Sequence, residues 1–464
     1  MRLTRNLFTP LAVTVAAITL AGGAVAADDR AERDVSVTFW LADRWPGHLD
    51  WVKAKAAEFG AEHPDVKIDI QGHDLLELPG KVREAAARGE APDVAEYYYS
   101  ATQEALDADA ADGRPLFASV EEAVGDRETI LGEKVVIGDI LPTAGKFYRH
   151  RGRLAAMPRN ISTTLQFANM KILKAAGVER PPRTWDELDA ACTAIAKLPD
   201  GPDNCMTWPT HGWFFEQAAS TQGVNLADHE NGRAAPARKV DFTSKAMLDW
   251  TRWWAGQQKK GHYVLTGKDV GGDWIGIRKA FAAQQVAFLF SSSVETDPIV
   301  QDGINGDFPV QTTYLPHNGD VPLAGYVLGG DALWIQDRLD QRTRDGALAF
   351  MQFINRPANG AAWAKEPGSG FMPVTHGAVE HLAREGYFTK NPHKKVAIQQ
   401  LSRNAHTPAA LGAFIGDFYA MQDIMSVAMI DVLTGKATPE KAMRRADRES
   451  QARLDAYHAS RPRR

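Results

Sequence analysis

The chain has 464 residues, of which 44% are hydrophobic and 24% are charged, and its net charge at neutral pH is −5. This length exceeds that of one ordinary hydrophobic core, so two lobes are expected. The mildly acidic balance gives no support to binding of nucleic acid or of an anionic membrane surface.

The N-terminus predicts export. Arg2 and Arg5 form a short basic region, residues 11–20 (LAVTVAAITL) are apolar, and Ala24 and Ala26 occupy small-residue cleavage positions. This order is typical of a secretory signal peptide over residues 1–26, cut near Ala26. The alternative, an N-terminal membrane anchor, would need about 20 apolar residues. Because no cysteine lies near the cut, we expect no lipid anchor and a periplasmic or extracellular protein.

The next elements alternate between strand and helix. VSVTFWLA (35–42), DVKIDIQG (65–72) and DVAEYYY (93–99) predict strands, and the segments 50–64 and 78–92 between them predict helices. Such an order indicates a parallel sheet with right-handed crossovers. In sheets of this kind, ligands bind outside the carboxyl ends of the strands.

The rest of the chain continues as mixed α/β structure. Thr184 and Glu187 form a capping box at the start of a helix. The other predicted elements are a strand that enters a second lobe (153–162), a helix and strand that end in serines (280–293), two strands around a Gly-Gly turn (326–336), a helix pair (342–368) and a mostly helical tail (412–457).

The only two cysteines, Cys192 and Cys205, lie close together in the sequence. In an exported protein such a pair predicts a disulfide, with two separate buried thiols as the alternative. They lack histidine partners at ligand spacing, so no zinc site is predicted, and no other metal or cofactor is expected.

Catalytic motifs give no positive signal. The sequence holds no G-x-S-x-G, H-E-x-x-H, P-loop or G-x-G-x-x-G pattern. Carboxylates are numerous, so a secreted glycoside hydrolase with a carboxylate pair stays as a remote alternative. We expect no enzyme.

Aromatic residues cluster near predicted strand ends and loops. The rings in question are Trp40, Trp45, Tyr97, Tyr98, Tyr99, Trp208, Trp213, Phe214 and Phe215. Such rings could stack on a sugar or enclose a quaternary amine, or they could pack the lobes. Because successive strand residues alternate faces, the three tyrosines cannot all enter one core. We expect Tyr97 to point inward and Tyr98 or Tyr99 to face a ligand.

Several segments together carry a family resemblance. They include ARGEAPDVAEYYY, VLGGDALWI, GFMPVT and VLTGKATPEKA, and above all NMKILKAAGVERPPRTWDEL. The chain resembles the extracellular solute-binding proteins of ABC importers, in the group that binds sugars and glycerol phosphates. The resemblance covers the whole chain after the signal peptide.

This resemblance implies a two-lobe α/β fold of the periplasmic-binding-protein type II, maltose-binding-protein-like, with a hinge crossed several times. A ligand would be enclosed in the central cleft and delivered to the transmembrane subunits of a permease by a monomeric protein. We expect lobe 1 to hold residues 27–150 plus about 295–342, and lobe 2 to hold residues 151–294 plus about 343–464.

A set of ligand contacts is expected, most of them implied by the resemblance at positions that match the family's motifs. Trp208 enters only as a substitute for a ring with no clean counterpart. The full set is Trp40, Asp74, Tyr98, Tyr99, Asn160, Ser162, Trp208, Trp213, Ser292, Ser293, Gly330, Asp331, Phe371 and Phe414.

One departure from the family bears on the ligand. Where the glycerol-phosphate binders carry an arginine for the phosphate, this chain has Phe414, in GAFIGDFYAM. Such a charge-assisted hydrogen bond is worth about 1.5–3 kcal/mol, so its loss argues against a phosphate monoester. Tyr99 replaces an acid, Asp331 and Asp417 add negative charge, and Arg159 adds one positive charge.

We therefore expect an importer-linked binding protein for a sugar or another neutral polar solute, a glycerophosphodiester being a close variant. The main alternative is a protein that sequesters a larger aromatic or glycosylated natural product. It is motivated by the number of rings and by the missing phosphate arginine.

Overall fold

The structure is a computed structural model that describes residues 35–43 and 47–461. The predicted signal peptide and Trp45 lie outside the described residues. Two β-sheets, each covered by helices, form the centres of two lobes. The two-lobe α/β fold predicted from the sequence is confirmed.

The first sheet has the order β2–β1–β3–β14, and β4 and β9 both pair with β14. Its strands are β1 (Val35–Ala42), β2 (Val66–His73), β3 (Val94–Tyr98), β4 (Phe117–Ala118), β9 (Met157–Ser162) and β14 (Gly329–Gln336). β1 pairs in parallel with β2 and with β3, whereas β14 is antiparallel to β3 and β9. Because α1 (His48–Glu62) and α2 (Leu78–Arg88) make the crossovers, the predicted βαβαβ start is confirmed.

The second sheet has the order β11–β12–β10–β13. Its strands are β10 (Thr164–Asn169), β11 (Met206–Thr207), β12 (Phe288–Ser292) and β13 (Val310–Tyr314). β10 follows β9 directly, so the chain passes from one sheet to the other at Thr163. It returns between β13 and β14, and backbone hydrogen bonds between Ile161 and Met372 mark a third passage. The connection between the lobes is therefore crossed several times.

Besides the two sheets, the described residues form two short β-hairpins and three short 3-10 helices. The hairpins are β5 (Thr129–Ile130) with β6 (Glu133–Lys134) and β7 (Arg149–His150) with β8 (Arg153–Leu154). The helices, with α1 and α2 above, are α3 (Thr102–Leu106), α4 (Val120–Val124), α5 (Pro142–Phe147), α6 (Met170–Ala175), α7 (Trp185–Ile195), α8 (Gly212–Thr221), α9 (Asp228–Asn231), α10 (Lys245–Lys259), α11 (Trp274–Ala282), α12 (Thr296–Asn305), α13 (Gln341–Ile354), α14 (Pro357–Lys365), α15 (His376–Arg384), α16 (Tyr387–Lys390), α17 (Pro392–Leu401), α18 (Pro408–Leu411), α19 (Phe418–Leu433) and α20 (Pro439–Ala459).

Several segments lie in the lobe opposite to the one expected from the sequence, and β13 and α13 show this most directly. β13 pairs with β10, which places it in the second lobe although the boundary of about 295–342 assigned it to the first. α13 was expected in the second lobe, but Phe350 lies with its ring 5.4 Å from that of Phe39 on β1. The physical reason is that antiparallel pairing and helix packing join segments far apart in sequence, which local patterns do not encode.

Side-chain capping explains why α7 begins at Trp185. The Thr184 hydroxyl accepts a hydrogen bond from the Glu187 backbone N–H at 3.2 Å, and the Glu187 carboxylate accepts from the Arg183 N–H at 2.7 Å. These contacts satisfy backbone donors that the first turn of α7 leaves free.

No helix within residues 35–43 and 47–461 combines the length and the apolar composition that a membrane span requires.

Cys192 on α7 and Cys205 before β11 form a disulfide, with their Cα atoms 5.3 Å apart. Both residues are buried in the second lobe. The bridge closes a loop across 13 positions of the sequence. By restricting the conformations of the unfolded chain, a loop of that size raises the free energy of unfolding by about 3 kcal/mol.

Replacing both cysteines by serine should therefore lower the free energy of unfolding by about 3 kcal/mol, because the unfolded chain regains the freedom of that loop. Urea denaturation with and without a reductant measures the effect. The wild type should lose stability in reductant, and the double variant should not respond to it. Equal curves for wild type and variant would refute the estimate.

Candidate functional site

The edge of the first sheet that faces the second lobe brings three predicted residues side by side. Asp331 on β14 pairs with Tyr98 on β3 and with Asn160 on β9. The Asn160 side-chain oxygen accepts from the Asp331 backbone N–H at 3.1 Å. Tyr98 is half-buried, while Asn160 and Asp331 are at most 1% exposed. The pairing of β14 with β3 and β9 thus brings three polar residues together at this edge.

Gly330 is required for this arrangement. Its φ is +118°, and a Cβ atom there would lie 2.2 Å from the backbone oxygen of Asn160. No side chain fits that gap, and L-residues rarely adopt such a φ. The register of β14 shifts directly afterwards, between Asp331 and Ala332, so the glycine lets β9 and β14 approach closely where the site residues lie.

Uncharged polar groups gather around this edge. Tyr148 directly follows α5 and is buried. Burial and the negative field of Asp331, Tyr98 and Glu96 hold the pKa of its phenol well above the usual value. Its hydroxyl has no hydrogen-bond partner among the described residues, and the same holds for the Asn160 side-chain nitrogen. Buried polar groups are normally paired, so this edge has unused hydrogen-bonding capacity.

The second lobe contributes Trp213 and Gln422. The Trp213 ring lies so close to Gly329 that a Cβ there would come 3.0 Å from it, and its centroid is 6.2 Å from that of Tyr99. Trp213 Nε1 and Gln422 Oε1 are buried without a partner in the described part of the chain. The interlobe region therefore presents three uncharged donors, from Tyr148, Asn160 and Trp213, and one amide acceptor.

A charged layer lies behind the site in the first lobe. The Arg159 guanidinium is 4.9 Å from the ring centroid of Trp51 and 4.9 Å from that of Trp363. Arg159 and Glu96 are at most 2% exposed. Burial lowers the pKa of Arg159 to about 10, although Glu96 and Asp331 oppose the shift. Burial, with the nearby Asp331, raises the pKa of Glu96 well above its usual value.

The same layer keeps one histidine neutral. Burial, with Arg159 nearby, lowers the pKa of His48 to about 3. The Glu96 carboxylate accepts a hydrogen bond from the Ala42 backbone N–H at 3.1 Å, at the carboxyl end of β1. The positive charge of Arg159 is therefore matched by acids and rings of its own lobe.

Tyr99 crosses between the lobes. Its hydroxyl donates to Glu216 Oε2 at 3.0 Å, and Gln422 Nε2 donates to that hydroxyl at 2.9 Å. Glu216 is fully buried on α8, and burial raises its pKa to about 7 although the Tyr99 hydrogen bond, the Ala413 N–H and Arg233 act in the other direction. The structure thus gives Tyr99 protein partners where a ligand contact was expected.

Phe414 lies beside a cation that the sequence did not point out. The Arg233 guanidinium is 4.1 Å from the Phe414 ring centroid and 5.0 Å from that of Phe147. Arg233 donates to the backbone oxygens of Gly412 at 2.7 Å, Leu411 at 2.9 Å and Phe147 at 3.0 Å. The guanidinium of Arg233 therefore connects the end of α5 with the C-terminal end of α18.

Trp208 does not line the cleft, which corrects the expectation from the sequence. It is 0% exposed and packs in the second-lobe core, with ring centroids 4.9 Å from Trp254, 4.5 Å from Tyr263 and 5.0 Å from Phe290. Trp208 directly follows β11, and its ring packs against α10 and β12. Which rings of a cluster face a cleft depends on side-chain direction, which spacing alone does not encode.

Other predicted contacts have local structural partners. Asp74 is exposed, and its carboxylate accepts from the Leu76 and Glu77 backbone N–H groups just before α2, so it stabilises a turn. The Ser293 hydroxyl accepts from the Thr163 N–H at 3.1 Å, which fastens the passage between the sheets. Ser292 caps the following turn.

The remaining predicted residues lie on strands of the first sheet or in the core of the first lobe. Trp40 is half-buried on β1, with its ring 4.4 Å from that of His73. Ser162 is the last residue of β9 and pairs with Gly329. Phe371 is buried in the first-lobe core. These positions remain predictions as ligand contacts.

Sequence reasoning missed Glu216, Gln422 and Tyr148. Glu216 had a visible signal, since it is a lone carboxylate within the apolar helix GWFFEQAAS, and buried charges are rare without a purpose. Gln422 and Tyr148 gave no such signal, because each looks like an ordinary polar residue of a helix or loop.

Comparisons with known proteins identify the family to which the chain belongs. A family model described as bacterial extracellular solute-binding protein matches residues 54–396. The sn-glycerol-3-phosphate-binding periplasmic protein UgpB of Pectobacterium atrosepticum is 26% identical, over 97% of this chain and 96% of its own length. The same protein of Escherichia coli K12 is 25% identical, over 94% and 95%.

Solved structures share the fold. The cyclic alpha-maltosyl-1,6-maltose binding protein of Arthrobacter globiformis superposes with a TM-score of 0.71 at 18% identity, over 91% of this chain and 99% of its own. UgpB of Mycobacterium tuberculosis, solved in complex with glycerophosphocholine, gives a TM-score of 0.67 at 20% identity, over 91% and 99%. With the family model spanning most of the sequence, the chain belongs to the family of bacterial extracellular solute-binding proteins.

Proposed function

We propose that the chain is the solute-binding component of an ABC importer and that it captures a neutral, sugar-like solute between its lobes. The observation that carries the proposal is the character of the unused polar groups. Asn160, Tyr148, Trp213 and Gln422 offer uncharged donors and an acceptor, and Tyr98 and Trp213 offer ring faces. Such a mixture suits the hydroxyls and the apolar face of a sugar.

The cations near the site support a neutral solute. Arg233 is engaged with three backbone oxygens. Arg159 is buried between two tryptophan rings, and its Nε and Nη2 donors have no hydrogen-bond partner among the described residues. A phosphate monoester at Arg159 would, however, also lie close to the acids Glu96 and Asp331, which disfavour a second negative charge. The position of Phe414 fits the same conclusion, so glycerol-3-phosphate is disfavoured here although relatives are named for it.

The rest of the proposal concerns the cellular setting. A protein with the predicted signal peptide would be secreted to the periplasm or beyond, bind its solute as a monomer without a cofactor and deliver it to permease subunits. It would perform no chemistry on the solute. Two other functions make different predictions: a sequestering protein would prefer larger aromatic glycosides, and a glycoside hydrolase would turn over chromogenic glycosides.

A calorimetric screen of the purified protein tests the ligand class. The panel would hold maltose and other mono- and disaccharides, aromatic glycosides, glycerol-3-phosphate and glycerophosphocholine. Binding to a neutral sugar without binding to glycerol-3-phosphate is the expected result. Tight binding of glycerol-3-phosphate would contradict the proposal, and preference for glycerophosphocholine would identify a diester binder.

The site is tested by removing one donor. Trp213→Phe keeps an aromatic ring but removes the Nε1 donor, so the Kd for the sugar found in the screen should rise about tenfold, the value of one hydrogen bond. Trp208→Phe is the matched control, because its Nε1 is also buried without a described partner but lies in the second-lobe core. An equal effect of the two substitutions would reject Trp213 as a ligand contact.

A further inference from the structure

Tyr99, Glu216 and Gln422 make a contact that exists only when the lobes are together. Tyr99 follows β3 of the first lobe, whereas Glu216 on α8 and Gln422 on α19 belong to the second. Each side chain is 1% exposed. The hydroxyl uses its donor on one helix and its acceptor on the other, so a single phenol joins three elements.

The second lobe holds the two partners side by side. Gly212 begins α8, and a Cβ atom there would lie 2.4 Å from Gln422 Cα. The missing side chain therefore lets α8 and α19 touch at this point. Glu216 lies one helical turn further along α8, next to Gln422. The pair is thus built within the second lobe, and the first lobe supplies the hydroxyl that fits it.

The contact also adjoins the proposed solute site. The Tyr99 ring centroid is 4.7 Å from that of Tyr98 and 6.2 Å from that of Trp213. Moving Tyr99 away from Glu216 would therefore separate two rings that we assign to the solute. Closing the lobes forms a buried hydrogen bond to a carboxyl group and a second one to an amide, and hydrogen bonds of this kind stabilise the closed arrangement.

We propose that Tyr99, Glu216 and Gln422 form an interlobe latch that holds the lobes closed, with Tyr99 as a positioning residue of solute capture. The inference rests on the proposed function in assigning a solute to the enclosed space. The latch itself is a property of the protein without solute. Tyr99 then acts through the position of its neighbours Tyr98 and Trp213, and it does not recognise the solute directly.

Small-angle X-ray scattering of the full chain without any solute tests the latch. Tyr99→Phe removes the hydroxyl and keeps the ring, so the ratio of closed to open molecules should fall on the order of tenfold. The radius of gyration should rise accordingly. Gln422→Met removes one of the two hydrogen bonds at similar volume, so the ratio should fall in the same direction but by less. Because Tyr99→Phe already breaks both hydrogen bonds, the double variant should be no more open than Tyr99→Phe alone.

Tyr97→Phe is the matched control. Tyr97 lies two residues earlier, and its ring packs within the first lobe on Phe117 and Trp334. This substitution should leave the scattering unchanged. If circular dichroism shows that Tyr99→Phe is misfolded, the scattering of Gln422→Met alone tests the latch. Equal radii for wild type, Tyr99→Phe and Gln422→Met would overturn the latch. Since no solute is present, that outcome is separate from a failed sugar screen, which would overturn the proposed function.

Discussion

Replacing Arg159 by methionine is expected to lower the free energy of unfolding by about 3–5 kcal/mol. The guanidinium is the positive charge that faces the buried acids Glu96 and Asp331. Without it, these acids must be buried either as uncompensated charges or with a bound proton, and both cost stability. Its stacking between Trp51 and Trp363 is lost as well. Methionine keeps the length and apolar character of the side chain, so the loss reports mainly the charge.

Urea denaturation at neutral pH measures this change. Arg114→Met is a suitable control, because Arg114 pairs with Asp112 at the surface with its side chain 68% exposed, and exposed pairs contribute little. Adding Glu96→Gln to Arg159→Met should recover part of the stability by removing one of the stranded acids. A loss below 1 kcal/mol in Arg159→Met would show that burying the acids without the arginine costs little.

The first strands and helices could be predicted because their information is local. Residues 35–42 and 65–72 alternate and carry β-branched side chains, and the helices between them have clear periods and stops. The lobe membership of β13 and α13 could not be predicted. β13 finds its partner β10 more than a hundred residues earlier along the chain, and no local pattern records such a pairing.

The candidate site divides in the same way. The end of β3 indicated where Tyr98 would lie, because ligands bind outside the carboxyl ends of parallel strands, whereas Asn160 and Asp331 were suggested by the family resemblance. The direction of a ring is set by packing, and so Trp208 and Trp213 could not be told apart by spacing. Motif alignment likewise suggested a ligand role for Tyr99, while its partners Glu216 and Gln422 come from helices that only the folded lobes bring to it.

Glu216→Gln is expected to change how stability depends on pH. Burial raises the pKa of Glu216 to about 7 from an ordinary value of 4.5, so the folded state binds this proton more tightly than the unfolded chain. Its contribution to stability is fully present below pH 4.5 and is lost as the pH rises through 7. Relative to the wild type, the variant should therefore gain roughly 3 kcal/mol between pH 4.5 and pH 8.

The comparison of two proteins isolates this one group. His48 acts in the opposite direction, because its pKa is lowered to about 3, but it is present in both proteins and cancels in the difference. Around Glu216, the groups that face it are Tyr99, the Ala413 N–H and Arg233, and they too are unchanged.

Urea denaturation at a series of pH values gives the two curves, and Glu187→Gln provides the control. The hydrogen bond from Arg180 leads the causes that lower the pKa of Glu187 to about 2. Its contribution is therefore lost only as the pH falls below 4.5, and the difference should stay flat from pH 4.5 to 8. Parallel curves for wild type and Glu216→Gln would mean that the buried carboxyl group keeps an ordinary pKa. Tyr99 would then meet a charged partner at neutral pH, and the contact between the lobes would be insensitive to pH over this range.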